Sequence, residues 1–344
     1  MAKFSNLCCD ELNIIVNFLS INNIWSFGLL NKNYKKYIDI DFKLENYVYK
    51  ITNVEVIKKY AKYLTKIIIQ DDNLITDGNL SGMSKLKYLE LPYNKKITDD
   101  GLKHIPNIQI LNLHSNKNIT DSGLKYIPNI QNLDLHWNKN ITDNGLKYLS
   151  CIQKLDLYYN ENITDNGLNH ISHVLKLNLA NNENITDNGL RYLSSIQELN
   201  LFSNKNITDN GLKHIRHVLR LDLYRNENIT DNGLKHLSRI QELKLGYNGN
   251  VTDNGLQYIP DILVLNLYFS ERITDDGLKY IPNVLDLNLH LNANITDSGL
   301  KYIPNVRKLD IYESCRITKR GLRHIPNIEK SFFYYGQQFF RLNH

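Results

Sequence analysis

Histidine pairs are the first feature of this 344-residue chain with a spacing that invites chemistry. His170 with His173, and His214 with His217, stand three residues apart, which on a helix would put two imidazoles on one face for a metal ion. No nearby Cys or Asp set completes such a site. His104, His214, His236 and His324 also exchange with Tyr126 and Tyr148 at one recurring position, so an outer-surface role is the simpler reading. We expect no metal and no other cofactor. Aspartates are many, but they recur at one position, and a residue that every unit needs for folding is poor evidence for a catalytic pair. No Gly-rich phosphate loop and no Ser/His/Asp or Cys/His arrangement stands apart from the recurring pattern, so no enzyme activity is expected. Asn-Ile-Thr at Asn118, Asn140, Asn162, Asn184, Asn206, Asn228 and Asn294, with Asn250-Val-Thr, is formally a glycosylation acceptor. The first 30 residues hold no basic segment followed by an apolar run, so these triplets read as turn residues multiplied by duplication.

The elements behind these residues repeat. Ile-Thr-Asp recurs at Ile97, Ile119, Ile141, Ile163, Ile185, Ile207, Ile229, Ile273 and Ile295, always in a 22-residue register. Val251 opens a variant copy, Ile317 a worn one (Ile-Thr-Lys), and Ile75 an upstream one in which Asn79 stands where the others have Gly. In one unit, Leu111, Leu113, Asn116, Ile119, Gly123, Leu124 and Ile127 carry the pattern. Leu-x-Leu predicts a short strand with one buried face. Asn116 predicts a side-chain bond to backbone in a turn, stacked from unit to unit. Asp121 is placed to N-cap a short helix bearing Leu124 and Ile127, and Pro128 would stop it. No 22-residue unit can bury its own apolar set, whereas stacked units can, so the chain is expected to form a solenoid.

The pattern resembles the leucine-rich-repeat family over about residues 65–335, and Ile-Thr-Asp-x-Gly-Leu is most similar to its cysteine-containing subclass. Two departures stand out. Asn occupies the usual cysteine position, and the unit is shorter than is normal there. The resemblance implies an α/β horseshoe with parallel strands inside and short helices outside. The boundaries are 51–66 for a linker and capping helix (the helix itself over 54–64, with Ile67 and Ile69 in the first strand), 67–330 for the repeats, and 331–344 for an aromatic C-terminal cap.

Residues 1–50 lie outside the repeat and read as two or three short amphipathic helices. Leu7-Cys8-Cys9-Asp10, Ile15, Phe18-Leu19, Ile24, Phe27, Leu30 and Tyr34 follow the spacing of an F-box, with Cys8, Asp10 and Tyr34 in place of its Pro, Glu and Trp. The resemblance implies docking to a Skp-type adaptor that links the protein to a cullin-RING ubiquitin ligase, through Leu7, Cys8, Ile15, Phe18, Leu19 and Ile24. The alternative is a plain cap over the first repeat.

The position after the second strand Leu holds His114, His136, Tyr158, Phe202, Tyr224, Tyr268, His290 and Tyr312. The next holds Tyr93, Trp137, Tyr159, Tyr247 and Phe269. Ten of the 22 places in these two columns are Phe, Trp or Tyr, against 10% in the whole chain, an enrichment that points to selection at those places. Both columns are expected to face the inner hollow. Aromatics on a rigid surface make good anchors for a partner, although stacking along the ladder would also favour them. Tyr93, His136, Trp137, Tyr158, Tyr159, Phe202, Tyr224, Tyr247, Tyr268 and Phe269 are therefore the candidate target-binding residues. Between the two leucines, Glu90, Asp134, Asp156, Asp222 and Asp310 outweigh Lys244, which suggests a somewhat acidic floor suited to an aromatic or basic partner segment.

Composition fits these expectations. Hydrophobic residues make up 42%, and the net charge of +5 comes from 41 basic against 36 acidic residues, too mild to indicate nucleic acid. No apolar run is long enough for a membrane span. Cys8 and Cys9 adjoin, Cys151 and Cys315 stand far apart, and this usage suits a reducing compartment, cytoplasmic or nuclear. The bias to Asn, Ile, Lys and Tyr matches the AT-rich codons of giant DNA viruses and some protists, and a viral receptor would act in the host cytoplasm. The expected function is a non-enzymatic substrate-recognition subunit of an SCF-type ubiquitin ligase. The alternative is a stand-alone repeat scaffold or inhibitor.

Overall fold

The fold is that of a computed structural model, and its description covers residues 64–68, 75–312, 316–335 and 338–341, with backbone alone from 330 onward. The F-box-like segment with its six adaptor-docking candidates, residues 54–63 of the expected capping helix, and Ile69 lie outside the described residues, and Leu64, the expected last residue of that helix, is buried but not helical.

Twelve three-residue strands recur every 22 residues: β1 (Lys66–Ile68), β2 (Tyr88–Glu90), β3 (Ile110–Asn112), β4 (Asn132–Asp134), β5 (Lys154–Asp156), β6 (Lys176–Asn178), β7 (Glu198–Asn200), β8 (Arg220–Asp222), β9 (Glu242–Lys244), β10 (Val264–Asn266), β11 (Asp286–Asn288) and β12 (Lys308–Asp310). Each pairs in parallel with the next, in one register, as in Leu133↔Leu155. β13 (Lys330–Tyr335) continues the parallel ladder, and β14 (Gln338–Arg341) closes the order with an antiparallel pairing. The tail that holds the aromatic run thus adds two strands to the sheet.

The first leucine of each pair lies within its strand and the second just after it. Both point inward, Leu133 at 2% and Leu135 at 0% exposure. With Ile141, Leu146, Leu149 and Ile152, also fully buried, they make one layer of a core that runs the length of the stack. A single unit could not bury this set, and the parallel neighbours do so for it.

The helical part is one turn per unit, as in Asp121–Leu124 and Asp143–Leu146. Four residues are far too few for a self-supporting helix, so side chains from the adjoining unit must fix it. Here the structure corrects the expected cap. Thr120, not Asp121, is the N-cap, and its hydroxyl accepts from the Ser122 N–H. Asp121 is the first helical residue. Its carboxylate crosses to the next unit, accepting from the Thr142 N–H at 2.8 Å and from the Thr142 hydroxyl at 2.6 Å. Thr-Asp clamps of this kind join Asp77 to Thr98 and continue to Asp297 with Thr318. Lys319 then has no acceptor oxygen to offer, and the chain of clamps ends. Ile127 falls outside the helix, which ends before Pro128 is reached.

The clamp explains the glycine of the motif. A Cβ on Gly167 would collide with the Asp143 carboxylate, whose Cγ would stand 2.9 Å away. In the first described unit Asn79 takes the place of Gly, and its side-chain oxygen accepts from the Thr76 N–H at 2.9 Å.

The expected Asn ladder is present. Asn116 is fully buried, donates to the Ile97 carbonyl at 3.1 Å, and accepts from the Asn118 and Ile119 N–H groups. The Asn-Ile-Thr asparagines also bind unit to unit. Asn140 donates to the Lys117 carbonyl at 2.6 Å and Asn162 to that of Lys139 at 2.7 Å. No helix among the described residues is long and apolar enough to cross a membrane.

Candidate functional site

Each strand passes directly into a tight turn, closed in one unit by the Asn138 N–H on the Leu135 carbonyl at 2.9 Å. The two aromatic columns lie in this turn. They form a rim at the C-terminal ends of the strands. The strand face itself carries the first and third strand residues, among them Lys176, Glu198 and Arg220, and Glu198 forms ion pairs with both cations.

The acidic column is also reinterpreted. Asp134, Asp156 and Asp222 accept from the backbone N–H two residues on, at His136, Tyr158 and Tyr224, at 2.9–3.0 Å. Asn112, Asn200, Asn266 and Asn288 do the same. These are Asx turns that bend the chain out of the strand, and they account for the preference for Asn or Asp without any partner.

The second rim column sits in left-handed backbone. Tyr93, Ser115, Trp137, Tyr159, Asn181, Ser203, Arg225, Tyr247, Phe269 and Leu291 have φ between 53° and 62°. Such a conformation costs an L-residue roughly 1–2 kcal/mol, and glycine would be free of that cost. Yet none of these ten places holds glycine. Their N–H groups bond across units, as from Trp137 to the Tyr158 carbonyl at 3.0 Å, so the backbone path is set whatever the side chain. Tyr93 is 51% exposed, Trp137 45%, Tyr159 39% and Phe269 38%.

The rim rings form two belts. In the first, Tyr93 lies 4.8 Å from His114, which stacks on His136 at 4.2 Å. His136 meets Tyr158 at 4.2 Å, and Trp137 meets Tyr159 edge-on at 6.4 Å. A cleft of about 500 Å³ beside them is lined by Ser115, Lys117, Trp137, Lys139, Asn140 and Tyr159. In the second, Phe202 stacks on Tyr224 at 5.4 Å, Tyr247 meets Tyr268 and Phe269, and His290 and Tyr312 complete the row. Ala180 and Asn181 stand between the belts, and no ring contact crosses that unit among the described residues. All ten candidate target-binding residues therefore lie on the rim. Tyr93, Trp137, Tyr159, Tyr247 and Phe269 occupy the left-handed column, and His136, Tyr158, Phe202, Tyr224 and Tyr268 are half-buried in the column before it.

Two contributors escaped the sequence reading. Arg225 lies over Phe202, Tyr224 and Tyr247, its guanidinium 5.2 Å from the Tyr247 ring, and so ties the second belt together. Gly246 leaves room for the Tyr224 ring, with which any Cβ there would collide, and Tyr224 thereby reaches Tyr268 two units on, at 6.0 Å. Both occupy the aromatic columns, and their column position was the available signal. Burial shifts two of the titrating groups. It pushes the Tyr224 hydroxyl up, and with the His114 charge it holds His136 below its ordinary value.

With the parallel ladder, the helical turns and the Asn ladder in view, comparison with known proteins is decisive for the architecture. A family profile described as Leucine Rich repeat matches residues 82–105, 104–128, 126–150, 170–194, 192–215 and 214–238. The fold is a leucine-rich-repeat solenoid. Solved structures agree at low identity. An internalin from Listeria monocytogenes superposes with a TM-score of 0.60 at 20% identity, covering 87% of this chain and 94% of its own. A chain of the yeast Rad7–Elc1 complex gives 0.55 at 15%, over 92% and 86%. A chain of the glycosylated Toll–Spatzle complex from Drosophila gives 0.60 at 16%, over 83% and 41%. No curated protein matches the chain by sequence.

Proposed function

We propose that the repeats form a protein-binding scaffold whose aromatic rim grips a target, and that residues 1–50 dock this scaffold to a Skp-type adaptor. The chain then acts as a substrate-recognition subunit of a cullin-RING ubiquitin ligase. Its contribution is proximity: a rigid solenoid holds the target close to a ubiquitin-charged enzyme elsewhere in the assembly. No residue of the chain takes part in bond chemistry.

One observation carries the target-binding half. Large aromatic side chains occupy left-handed positions where glycine would relieve strain, and Tyr93, Trp137, Tyr159 and Phe269 among them stay exposed while Tyr247 is half-buried. Backbone strain kept in a row of successive units calls for a compensating use, and rigid aromatic anchors are enriched in binding surfaces. The adaptor half rests on the F-box-like spacing of residues 7–34. Support by analogy comes from the Rad7–Elc1 complex, in which a chain of like fold was crystallised in a two-protein assembly.

Tagged protein recovered from its native cell tests both halves. Wild type is expected to retain adaptor, cullin and target. Changing Leu7, Phe18 and Leu19 to Asp is expected to release the adaptor and cullin while the target stays bound. Changing Trp137 and Tyr159 to Ala should do the reverse. A wild-type chain that folds, binds its target and retains no adaptor would be a stand-alone scaffold or inhibitor.

A further inference from the structure

The Asx turn at the end of each strand requires one side-chain oxygen, and Asn112, Asn178, Asn200, Asn266 and Asn288 supply it without charge. Asp134 and Asp156 supply it with charge on adjacent strands, where they are direct register partners. Elsewhere in this column no two carboxylates adjoin among the described residues. Two neighbouring half-buried anions repel, and asparagine would avoid that cost with the turn intact. The turn therefore does not explain them.

An imidazole lies against the pair. One ligand atom from each of Asp134, His136 and Asp156 falls within 4.8 Å of the others. The Nε2 atoms of His136 and His114 are both shielded from solvent, and neither has a hydrogen-bond partner. The His114 ring stacks on His136 with an interplanar angle of 4° and fixes its plane. Asp134 gives one oxygen to the His136 N–H, which leaves its other oxygen available. Asp156 accepts from the Tyr158 N–H with one oxygen and from the Asn178 side chain with the other, at 2.9 and 3.0 Å.

We propose that Asp134, His136 and Asp156 form a site for a divalent transition-metal ion of the Zn²⁺, Co²⁺ or Ni²⁺ class. Two carboxylates and an imidazole match that class, and three protein ligands leave a coordination position for water or an incoming group. Ligand atoms about 2.0–2.2 Å from such an ion stand roughly 3.3–3.6 Å apart, a closure that side-chain rotation can supply. The ion would neutralise the Asp134–Asp156 repulsion and fasten β4 to β5 beneath Trp137 and Tyr158.

The test uses the full-length protein stripped of metal by chelator, then titrated with Zn²⁺ and Co²⁺. The D134N/D156N variant keeps both Asx turns, as Asn112 and Asn178 show, and removes the two charges together with the Asp156 oxygen that accepts from the Asn178 side chain at 3.0 Å. H136Y keeps a ring in the column, as Tyr158 does. Wild type is expected to bind one equivalent of Zn²⁺ more than either variant, to show Co²⁺ ligand-field absorption that both variants lose, and to gain several degrees in Tm on adding Zn²⁺. Other histidines, such as His214 and His217, give a background common to all three proteins. Equal stoichiometry in wild type and folded D134N/D156N, or no binding by wild type, would overturn the site.

Discussion

The inside of each unit and the turn at its rim share a backbone that repeats every 22 residues, yet they treat side-chain identity in opposite ways. Inside, Leu135 recurs as Leu157, Leu179 and Leu201, and Asp143 recurs as Asp165, Asp187 and Asp209. Leu135 is fully buried, and Asp143 meets Thr164 and the Gly167 site of the adjoining unit, so a change at either is felt beyond its own unit. At the rim, Trp137 becomes Tyr159, Asn181, Ser203 and Arg225 along an unchanged left-handed path. The backbone there is held by its own N–H groups, so the path does not depend on which side chain stands there. Stacking accounts for the half-buried rim column, as in His114 on His136. It accounts poorly for the exposed left-handed column, and that difference separates a folding surface from a recognition surface.

The largest expected effect breaks the inside. Leu135→Ala should cost about 2–5 kcal/mol by opening a cavity in a filled layer, measured by denaturant unfolding. A silent change would mean that this leucine does not fill the core. Gly167→Ala comes next. Its Cβ would displace the Asp143 carboxylate from Thr164, with a loss of roughly 1–3 kcal/mol for the charge-assisted bonds. If the cause is the clamp, Asp143→Ala combined with Gly167→Ala should cost much less than the two changes summed.

A smaller effect is expected at the rim, where it sharpens the contrast. Trp137→Gly should be more stable than Trp137→Ala by about 1 kcal/mol, because glycine alone relieves the left-handed backbone. Both variants should fold and lose the target. The smallest effect concerns pH. His136 is held below its ordinary value by burial and by the His114 charge, so the folded chain binds its proton less readily than the unfolded chain does. Its share of stability is complete above the unfolded value near 6.5 and is lost as pH falls through the lower folded value. In chelator, the Tm of wild type should therefore fall more between pH 7.5 and 5.5 than that of His136→Tyr. Parallel curves would show that His136 has no such role.

Much of this was legible in the sequence because the contacts repeat with it. The period, the inward leucines and the stacked Asn116 ladder followed from spacing alone. The clamp did not, because Thr120 and Asp121 are both good N-cap residues and the partner that decides between them lies 21 positions away. The left-handed turn was hidden for a related reason. Glycine is its usual sign, and Trp137 or Tyr159 in that place reads as strand. The acidic column looked like a binding floor because an Asx turn accepts Asp134 as readily as Asn112, and composition cannot separate charge that serves a turn from charge that serves a partner.

The central claim, that the rim is the gripping surface, is tested most directly by site-specific photocrosslinking in the native cell. A photoreactive residue would replace Trp137, Tyr159 or Phe269 on the rim, or Tyr192 or Tyr280, which are similarly exposed on the helical side. We expect the same target adduct from the three rim positions and none from Tyr192 or Tyr280. Adducts from Tyr192 and Tyr280 with a silent rim would contradict the account.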